Sequence, residues 1–574
     1  MGHNKTMTFI FQRFPLLVEL VFNGFFILLY LLKDKAQSNP HIPEILLRYA
    51  LTIGTYGVPI ILFFVLVGNY VKEQSMENFF RRHTFSLIVF FPVLVTLGDS
   101  QFAFWLSSSH LVFSLYSLYD AKSLKGNRYV DSSVKRKKSL SPAQLVSFSF
   151  FMIILVGALL LMLPVATTEG HNLSFIDALF TSTSATCVTG LTSVPTGQTF
   201  SFFGQLVILL LIQVGGLGYM TLFSCMSIFI GRSIGVKGRL MLDNVLEVGN
   251  FEELMEMIVD IVRYTFIIEL WGAIVLTVAF TAEGIDFSKA IYMGIFHSIS
   301  AFCNAGFSLF DDSLESFATN PMAHGTIAIL IVLGGLGFTV LKELKELVER
   351  KKDFKRLSVH SKIVLSTTVI LLIAGTTIIF FSEYLHALDS YSLWEKIQIS
   401  VFHSVTLRTA GFNTIPMSTF QAHTCYIMIL FMFIGGSPGS TAGGIKTTTL
   451  AILFQSIKST LGGNKSVQIF NRNISNSIVV KATAISILSV LLTTSFIFAL
   501  MKVEENQTFL TITFEAISAF GTVGLSLGIT PYLTAVGKFL LIILMFIGRA
   551  GPLTLILAVG ERGESKGQYD YPYG

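Results

Sequence analysis

The chain has 574 residues, of which 52% are hydrophobic and only 13% are charged. This composition is too apolar for a soluble globular protein of the same length, so we expect a polytopic membrane protein. The formal net charge of +5 arises from short basic clusters between apolar segments, which argues against a nucleic-acid-binding face. The four cysteines have no C-x-x-C spacing, which argues against a zinc site or a disulfide framework.

Residues 1–140 contain about four apolar runs and a basic linker that have no counterpart later in the chain. Each run is a candidate transmembrane helix. We therefore expect an appended N-terminal membrane domain with about four extra helices, followed by a cytoplasmic linker. The sequence assigns no function to this domain.

From residue 141 onward the chain repeats itself four times. Each unit has an apolar span, a short Ser/Thr-rich loop that ends in glycine, and a second apolar span, and each span is long enough to cross about 30 Å of hydrocarbon. The predicted fold is an all-α polytopic membrane protein in which four tandem helix–pore-loop–helix repeats surround a central pore. The predicted units are residues 141–245, 246–357, 358–475 and 476–574, the last including a C-terminal tail.

The four loops end at Gly190, Gly306, Gly411 and Gly524. Non-helical backbone inside a bilayer is tolerated only where it lines a cavity, and glycine lets successive carbonyl groups point inward to replace the water around a cation. We therefore predict a selectivity filter for a cation. Its predicted residues are Cys187, Val188, Thr189 and Gly190; Cys303, Asn304, Ala305 and Gly306; Thr409, Ala410 and Gly411; and Gly521, Thr522, Val523 and Gly524.

Three ionisable residues lie in or beside these loops. Arg408 precedes the third set, and we expect its side chain to point away from the cation path and brace the loop, with Glu515 as a suggested partner. His297 and His403 occupy the same place in the second and third units, which favours a shared structural position over a metal ligand or a proton relay.

The basic clusters lie between the units, so these connections are predicted to be cytoplasmic and the loops to be reached from outside. An acidic mouth on the outer side would raise the local cation concentration. The candidate carboxylates are Glu169, Glu283, Asp286, Asp311, Asp312, Glu315, Glu383, Glu504 and Glu505.

A gate is predicted below the filter. The second span of the third unit is interrupted by a Pro- and Gly-rich stretch, Ser437–Thr449, which cannot remain a regular helix, and in the fourth unit Arg549 replaces a glycine. The predicted gate residues are Gly439, Ser440, Thr441, Ala442, Gly443, Gly444, Lys446 and Arg549. An alternative is an intramembrane serine hydrolase, because residues 435–439 match G-x-S-x-G around Ser437, although no histidine follows His423.

The motifs C-V-T-G-L-T, F-C-N-A-G-F, R-T-A-G-F-N-T, G-S-P-G-S-T-A-G-G-I-K-T-T-T and G-R-A-G-P-L-T resemble those of the Trk/Ktr/HKT superfamily of potassium transporters, most closely the Ktr-type membrane subunit. The resemblance spans about residues 141–574. It implies a potassium filter at the four glycines and a gate formed by residues 439–444 with Arg549.

The resemblance also implies a homodimer in the cytoplasmic membrane, in a bacterium, that sits on a ring of nucleotide-binding regulatory subunits of the RCK type. No covalent cofactor is expected; potassium would be the transported ion, and a nucleotide would act only through the regulatory subunit. Glycine at all four filter positions favours potassium, with a sodium-translocating member of the superfamily as the alternative. An enzymatic activity is not expected.

Overall fold

The computed structural model describes residues 142–168, 173–218, 251–349, 354–464 and 466–551, together with Asn23, Phe26, Ile27, Ser107 and Ser108. The chain forms two compact units, one made of Met1–Ser139 and Cys225–Gly235 and the other of Leu140–Ser224 and Val236–Gly574. All elements below belong to the second unit. The four apolar runs predicted in residues 1–140 lie outside the described residues, apart from those five isolated positions.

The first repeat begins with α1 (Pro142–Leu161) and continues with the short helix α2 (Phe175–Thr186). A one-turn helix, α3 (Thr196–Thr199), leads into α4 (Phe202–Gly216). The predicted filter segment of this repeat follows the last turn of α2. The order is therefore helix, short helix, loop, helix.

The second repeat has the same order. It contains α5 (Phe251–Ala282), the short helix α6 (Phe287–Phe302) and α7 (Pro321–Leu336). A fourth helix, α8 (Phe338–Glu349), follows after a break at Gly337, where φ is 89°. The chain bends by 102° at this break, so α7 and α8 are two arms of one kinked element.

The third repeat contains α9 (Val359–Glu383), the short helix α10 (Leu393–Thr406), α11 (Ala422–Met432) and α12 (Thr447–Leu461). Residues 433–446 between α11 and α12 are not helical, so the predicted interruption is present, but its predicted bounds, 437–449, are wrong at the end because Thr447–Thr449 open α12. An antiparallel hairpin follows, in which β1 (Gln468–Ile469) pairs with β2 (Arg472–Asn473).

The fourth repeat consists of α13 (Asn476–Val503), the short helix α14 (Phe509–Gly521) and α15 (Ala535–Ala550). Short 3₁₀ turns connect several elements in the four repeats. They are Pro164–Ala166, Glu315–Phe317, Phe354–Arg356, Met417–Thr419 and Thr530–Tyr532.

Three described helices are long and apolar enough to cross a membrane, namely Val259–Ala282 of α5, α9 and α13. The kinked pair α7 and α8 passes the same test as one broken span. The other apolar helices among the described residues are shorter, so the eight crossings predicted from the sequence stay a prediction. The long helices expose apolar side chains such as Phe266, Ile370 and Phe498, as lipid-facing helices do.

The four short helices α2, α6, α10 and α14 begin in the same way. Each has a polar N-cap whose side chain accepts a hydrogen bond from a backbone N–H of the first turn: Ser174, Asp286, Ser392 and Thr508. Such caps satisfy donors that a helix start leaves unpaired. The caps therefore define where each short helix starts, and each filter segment follows its C-terminal end.

The hydrophobic core lies at the junctions between consecutive repeats. A fully buried phenylalanine lies nine or ten residues before each filter glycine, namely Phe180, Phe296, Phe402 and Phe514, and the last three each pack into the cluster of the preceding repeat. Phe180 of the first repeat lies in one buried cluster with Leu541 and Met545 of the fourth. The chain of contacts therefore closes into a ring.

The short helices are fastened to the first helix of their own repeat by a repeated contact. The hydroxyls of Ser182, Ser298 and Ser404 donate to the carbonyls of Ile154, Glu269 and Leu372 at 2.6, 2.6 and 2.8 Å. Glycine stands three residues after each of these carbonyls, and a Cβ at Gly157, Gly272 or Gly375 would collide with the serine hydroxyl. The fourth repeat has Ala516 at the serine position and lacks this hydroxyl.

Candidate functional site

The four predicted filter segments share one unusual backbone conformation. The filter glycines all have positive φ: 91° at Gly190, 71° at Gly306, 82° at Gly411 and 94° at Gly524. The residue two positions earlier also has positive φ in every repeat, although none is glycine: Val188, Asn304, Thr409 and Thr522, at 56°, 59°, 66° and 51°. Four non-glycine residues held in this costly region at matched positions indicate a shared functional geometry.

Hydrogen bonds to the short helices set the direction of the filter peptides. The N–H groups of Thr189, Ala305 and Val523 donate to the carbonyls of Ser184, Ser300 and Ser518 at 2.8, 2.7 and 2.8 Å, and Ala410 N–H donates to Thr406 at 3.0 Å. Because a trans peptide places its C=O opposite its N–H, the preceding carbonyl groups point away from the short helices.

The four glycines touch one another in a closed cycle. A Cβ on Gly190, Gly306 or Gly411 would lie 2.6, 2.6 or 2.8 Å from the carbonyl oxygen of Ala305, Ala410 or Val523. A Cβ on Gly524 would collide with the carbonyl oxygen of Thr189 and so completes the cycle. Each glycine therefore lies against the next loop, and a side chain at any of these four positions would force the neighbouring backbone to shift.

A cavity of about 330 Å³ lies above this ring and has all four filter glycines in its lining. Its charged lining residues are Asp311, Asp312 and Glu315, all from the second repeat. Burial raises the pKa of Glu315, with a further increase from the charge of Asp312, and a hydrogen bond from Asn413 opposes the change. The mouth is therefore acidic, as predicted, but its charge comes from one side.

Several other carboxylates predicted for the mouth have structural roles instead. Glu383 and Glu504 are buried and accept hydrogen bonds from the backbone N–H groups of Gln421 at 3.0 Å and Thr534 at 2.9 Å. Asp286 caps α6. The sequence could not separate these acids because all of them lie in connections on the same side of the repeats.

Three further residues complete the set of acids. Glu283 accepts a hydrogen bond from Asn320 at 2.7 Å. Glu505 is exposed and does not line the cavity, and Glu169 lies outside the described residues. Of the nine candidate carboxylates, Asp311, Asp312 and Glu315 line the cavity, and the other five described ones do not.

In the last three repeats, the residue after the buried phenylalanine binds the segment beyond the filter glycine, whereas the hydroxyl of Thr181 in the first repeat has no hydrogen-bond partner among the described residues. His297 Nε2 lies 3.0 Å from the Ser308 hydroxyl, and His403 Nε2 lies 3.3 Å from that of Thr414. In the fourth repeat Glu515 accepts from Ser526 and, at 3.0 Å, from Thr530. These contacts tie the short helix to the segment beyond the filter glycine, so the histidines occupy structural positions, as expected.

The suggested pair between Arg408 and Glu515 is wrong. The described part of the chain contains no ion pair between them, because hydroxyls of its own repeat bind Glu515. Arg408 is buried behind the third filter segment, and its Nε has no hydrogen-bond partner among the described residues. The sequence placed Arg408 correctly beside the loop but could not identify its contacts.

The non-helical segment 433–446 lies directly below the filter. A Cβ on Gly443 would collide with the side chain of Thr522, and Gly444 approaches the carbonyl of Gly521. The Thr441 hydroxyl donates to the Phe302 carbonyl at 3.3 Å and lies 3.3 Å from the side-chain amide of Asn304. The segment therefore contacts filter segments of two different repeats.

The same segment is seated on the break between α7 and α8. Ser437 N–H donates to Gly335 at 3.1 Å, and Thr441 N–H donates to Gly334 at 3.3 Å. The Ser437 hydroxyl donates to the carbonyl of Leu336. Ser437 is fully buried, and its hydroxyl is hydrogen-bonded to a backbone carbonyl, so its geometry is that of a packing residue.

One cation binds the segment from another helix, and a second binds within the segment. Arg549 on α15 donates through Nη1 to the carbonyl of Thr441 and through Nη2 to that of Gly215 at the end of α4. Lys446 Nζ donates to the carbonyl of Ala442 at 2.7 Å. The guanidinium thus joins the segment of the third repeat to a helix of the first and brings a positive charge under the ring.

A buried acid behind the second filter segment was not identified from the sequence. Glu269 lies on α5 within the apolar span, and its Oε2 accepts a hydrogen bond from Gln213 at 3.1 Å. The Cys303 Sγ lies 3.6 Å from Gln213 Oε1 and 3.8 Å from Glu269 Oε1. The signal was available, since an acidic residue inside an apolar span is costly and is a candidate functional residue by default.

Comparison with known proteins agrees with this geometry. Residues 122–566 match the family model of TrkH, described as a cation transport protein. The chain belongs to the TrkH family. Residues 1–121 lie outside the match, in agreement with the absence of a repeat there.

Two relatives of the family show how far the similarity extends. The chain is 40% identical over 431 residues to the Ktr system potassium uptake protein B of Bacillus subtilis, covering 75% of this chain and 95% of that protein. It is 37% identical over 442 residues to the potassium/sodium uptake protein NtpJ of Enterococcus hirae, covering 76% of this chain and 97% of that protein.

A solved structure shares the fold. The crystal structure of the potassium transporter TrkH from Vibrio parahaemolyticus superposes with a TM-score of 0.60 at 17% identity, covering 88% of this chain and 97% of that one. The relatives are ion transporters, not enzymes, so the serine hydrolase alternative is wrong.

Proposed function

We propose that this protein carries potassium into the cell through the ring of four filter glycines. The observation that supports this most strongly is the closed cycle of contacts from Gly190 through Gly306 and Gly411 to Gly524 and back. Inward-facing carbonyls in such a ring can replace the hydration shell of a cation of matching size. The membrane potential would supply about 2.3 kcal/mol per charge for each 100 mV, inward when the cell interior is negative.

Potassium is favoured over sodium because glycine occupies all four positions, which leaves the carbonyl ring without a side chain that narrows it. The names of the relatives support both ions, since one is a potassium uptake protein and another a potassium/sodium uptake protein. Sodium is therefore the second candidate.

The segment 433–446 and Arg549 form the gate in this proposal. The segment closes the pathway directly under the filter, and the guanidinium adds a positive charge that repels an arriving cation. Opening would require the contacts with Thr441 and Gly215 to break. Residues 439–444 and Lys446 would move as one element because Lys446 binds its carbonyls.

The assembly is proposed as a homodimer bound to a cytoplasmic ring of nucleotide-binding regulatory subunits, in the cytoplasmic membrane of a bacterium. This part rests on the motif resemblance and on the similarity to the Bacillus subtilis Ktr protein. Any nucleotide would act through the ring. Co-purification with a Ktr-type regulatory subunit, followed by mass measurement of the complex, tests it.

The deciding experiment is uptake of rubidium and sodium by a potassium-uptake-deficient bacterial strain that expresses this chain, with and without a Ktr-type regulatory subunit. The Gly190→Ser variant is compared with Gly325→Ala, a helix position where an added Cβ meets nothing within 4 Å. Rubidium-selective uptake that Gly190→Ser weakens and Gly325→Ala leaves intact supports the proposal. Sodium uptake that is indifferent to Gly190→Ser contradicts it.

A further inference from the structure

The end of α9 farthest from the filter mouth carries two adjoining cavities of about 860 and 570 Å³. Both cavities are lined by Lys355, Lys362 and Phe470. The chain leaves the other end of α9 at Glu383 and then enters α10 and the third filter segment. The cavities therefore lie on the opposite side of the membrane from the acidic mouth.

The smaller cavity has the chemistry of an anion site. Lys355, Arg356, Lys362 and Arg472 line it, and it reaches Ser358, the N-cap of α9. No carboxylate of the described residues lies within 4.0 Å of these four cations. A helix N-terminus surrounded by basic side chains favours a phosphate group.

One acid belongs to this region. The Glu343 carboxylate accepts a hydrogen bond from Ser358 N–H at 3.0 Å, so one donor of the helix start is already used. Lys362 Nζ donates to the carbonyl of Lys355 at 2.7 Å, which fixes its ammonium group at the cavity. Among the residues that the structure describes, the lining of the smaller cavity holds these four cations and no carboxylate, with Glu343 beside Ser358, so it is strongly positive.

The larger cavity continues this basic site along the apolar face of α9. Leu365, Val369 and Ile370 form its wall, and Val369 and Ile370 are 52% and 65% exposed. These residues belong to a helix that is long and apolar enough to cross the membrane. An apolar wall that starts at a basic pocket matches a lipid, whose charged headgroup and acyl chain are joined in this way.

The hairpin adds an independent observation. Phe470 and Asn471 form its two-residue turn with φ of 50° and 60°, a conformation that favours Asn-Gly and is costly for phenylalanine. Phe470 is nevertheless 52% exposed. A strained and exposed aromatic ring beside a lipid-facing helix is placed to enter the interface of a bilayer.

The hairpin is held in this place by α12. Gln455 Nε2 donates to the carbonyl of Gln468 at 2.8 Å, and the Ser459 hydroxyl donates to that of Ser466 at 2.8 Å. The turn therefore presents Phe470 and Arg472 to the cavities from a fixed base.

We propose that these two cavities bind one anionic phospholipid, with its phosphate against Lys355, Arg356, Lys362 and Arg472 and an acyl chain along Leu365, Val369 and Ile370. The bilayer supplies this ligand, and the proposal does not depend on which ion the protein transports. A protein partner that docks on the same basic surface is the competing occupant.

The test uses the full chain in phosphatidylcholine nanodiscs with a trace of phosphatidylglycerol that carries a photoactivatable acyl chain. We expect crosslinks on α9 between residues 365 and 370 or on the hairpin, several-fold stronger than with the matching phosphatidylcholine probe. Unlabelled phosphatidylglycerol should compete, and phosphatidylcholine should not. Equal labelling by both probes would overturn the proposal.

The test variant combines Lys355→Gln with Arg472→Gln. The control variant combines Lys458→Gln with Lys481→Gln, which replaces two exposed lysines outside the cavity linings. The first pair should lower the phosphatidylglycerol crosslink about tenfold, whereas the second should leave it unchanged. If a variant does not insert into the nanodisc, competition of unlabelled phosphatidylglycerol with the probe on the wild-type protein tests the proposal. If a regulatory subunit blocks crosslinking at Phe470 and the two lipid probes label the protein equally, the site binds a protein partner and the lipid proposal is contradicted.

Discussion

Lys538 on α15 and Asp177 on α2 form an ion pair with a distance of 2.8 Å between Nζ and Oδ1, although 361 residues separate them in the chain. The pair links the fourth repeat to the first. It therefore closes the ring of repeats with a largely buried electrostatic contact, in addition to the buried cluster that contains Phe180, Leu541 and Met545.

Replacing Lys538 by methionine should lower the stability of the protein by about 2–3 kcal/mol, because the partly buried carboxylate of Asp177 loses its charged partner. The control is Lys502→Met, an exposed lysine on α13. Thermal unfolding in detergent measures both. Equal midpoints for the two variants would show that the pair does not stabilise the ring.

The contribution of this pair should depend on pH in a defined direction. Burial alone would raise the pKa of Asp177, but the hydrogen bonds from Lys538 and Ser174 oppose it and hold that pKa below its usual 3.8. A lowered pKa means that the stabilisation is complete above the usual value and is lost as pH falls through the lowered one. The difference between wild type and Lys538→Met should therefore be constant at neutral pH and disappear in strong acid.

Two glycines of α7 provide a matched test of close packing. A Cβ at Gly334 would collide with the carbonyl of Phe302 at the end of α6, whereas one at Gly325 meets nothing within 4 Å. We expect Gly334→Ala to cost about 1–3 kcal/mol and to reduce rubidium uptake, because the filter segment behind Phe302 must move. Gly325→Ala should change neither quantity, and equal effects would refute this explanation.

Arg549 should limit ion flux through its charge and its two carbonyl contacts. We expect Arg549→Gln to increase rubidium flux in proteoliposomes about tenfold, because a positive charge close to the ion path is removed. Arg549→Lys keeps the charge but cannot span the carbonyls of Thr441 and Gly215, so its flux should be intermediate. Unchanged or lower flux in folded Arg549→Gln protein would contradict a gating role.

Glu269 should act on selectivity through Cys303. In Glu269→Leu the Gln213 amide loses its acceptor behind the second filter segment, and we expect the ratio of rubidium to sodium uptake to fall about fivefold. Glu269→Gln keeps a hydrogen-bonding group of the same size and should retain most of the ratio. If both variants behave like wild type, the cluster does not support the filter.

The sequence predicted those parts of the site that depend on local backbone chemistry. Glycine at four matched positions and the Pro- and Gly-rich interruption after Ser437 indicated the filter and the segment beneath it, because these residues permit conformations that others do not. The positive φ of Val188, Thr409 and Thr522 could not be predicted, since their side chains do not favour it, whereas asparagine adopts it more readily.

Contacts between repeats could not be predicted from the sequence. Arg408 and Glu515 have opposite charges in adjacent repeats, yet Glu515 binds Ser526 and Thr530 of its own repeat. The partners of Glu269 likewise come from a helix of the first repeat and a loop of the second. Such pairings depend on the three-dimensional arrangement, which the spacing along the chain does not specify.

The guanidinium of Arg549 occurs once beneath a ring that has nearly fourfold geometry. In an assembly of four identical subunits, the same substitution would place four cations around one axis and block it. Because the four repeats are joined in one chain, one repeat can carry a substitution that the other three do not share. Duplication within one chain would thus allow the proposed ring of carbonyls to be combined with a control element of unit charge.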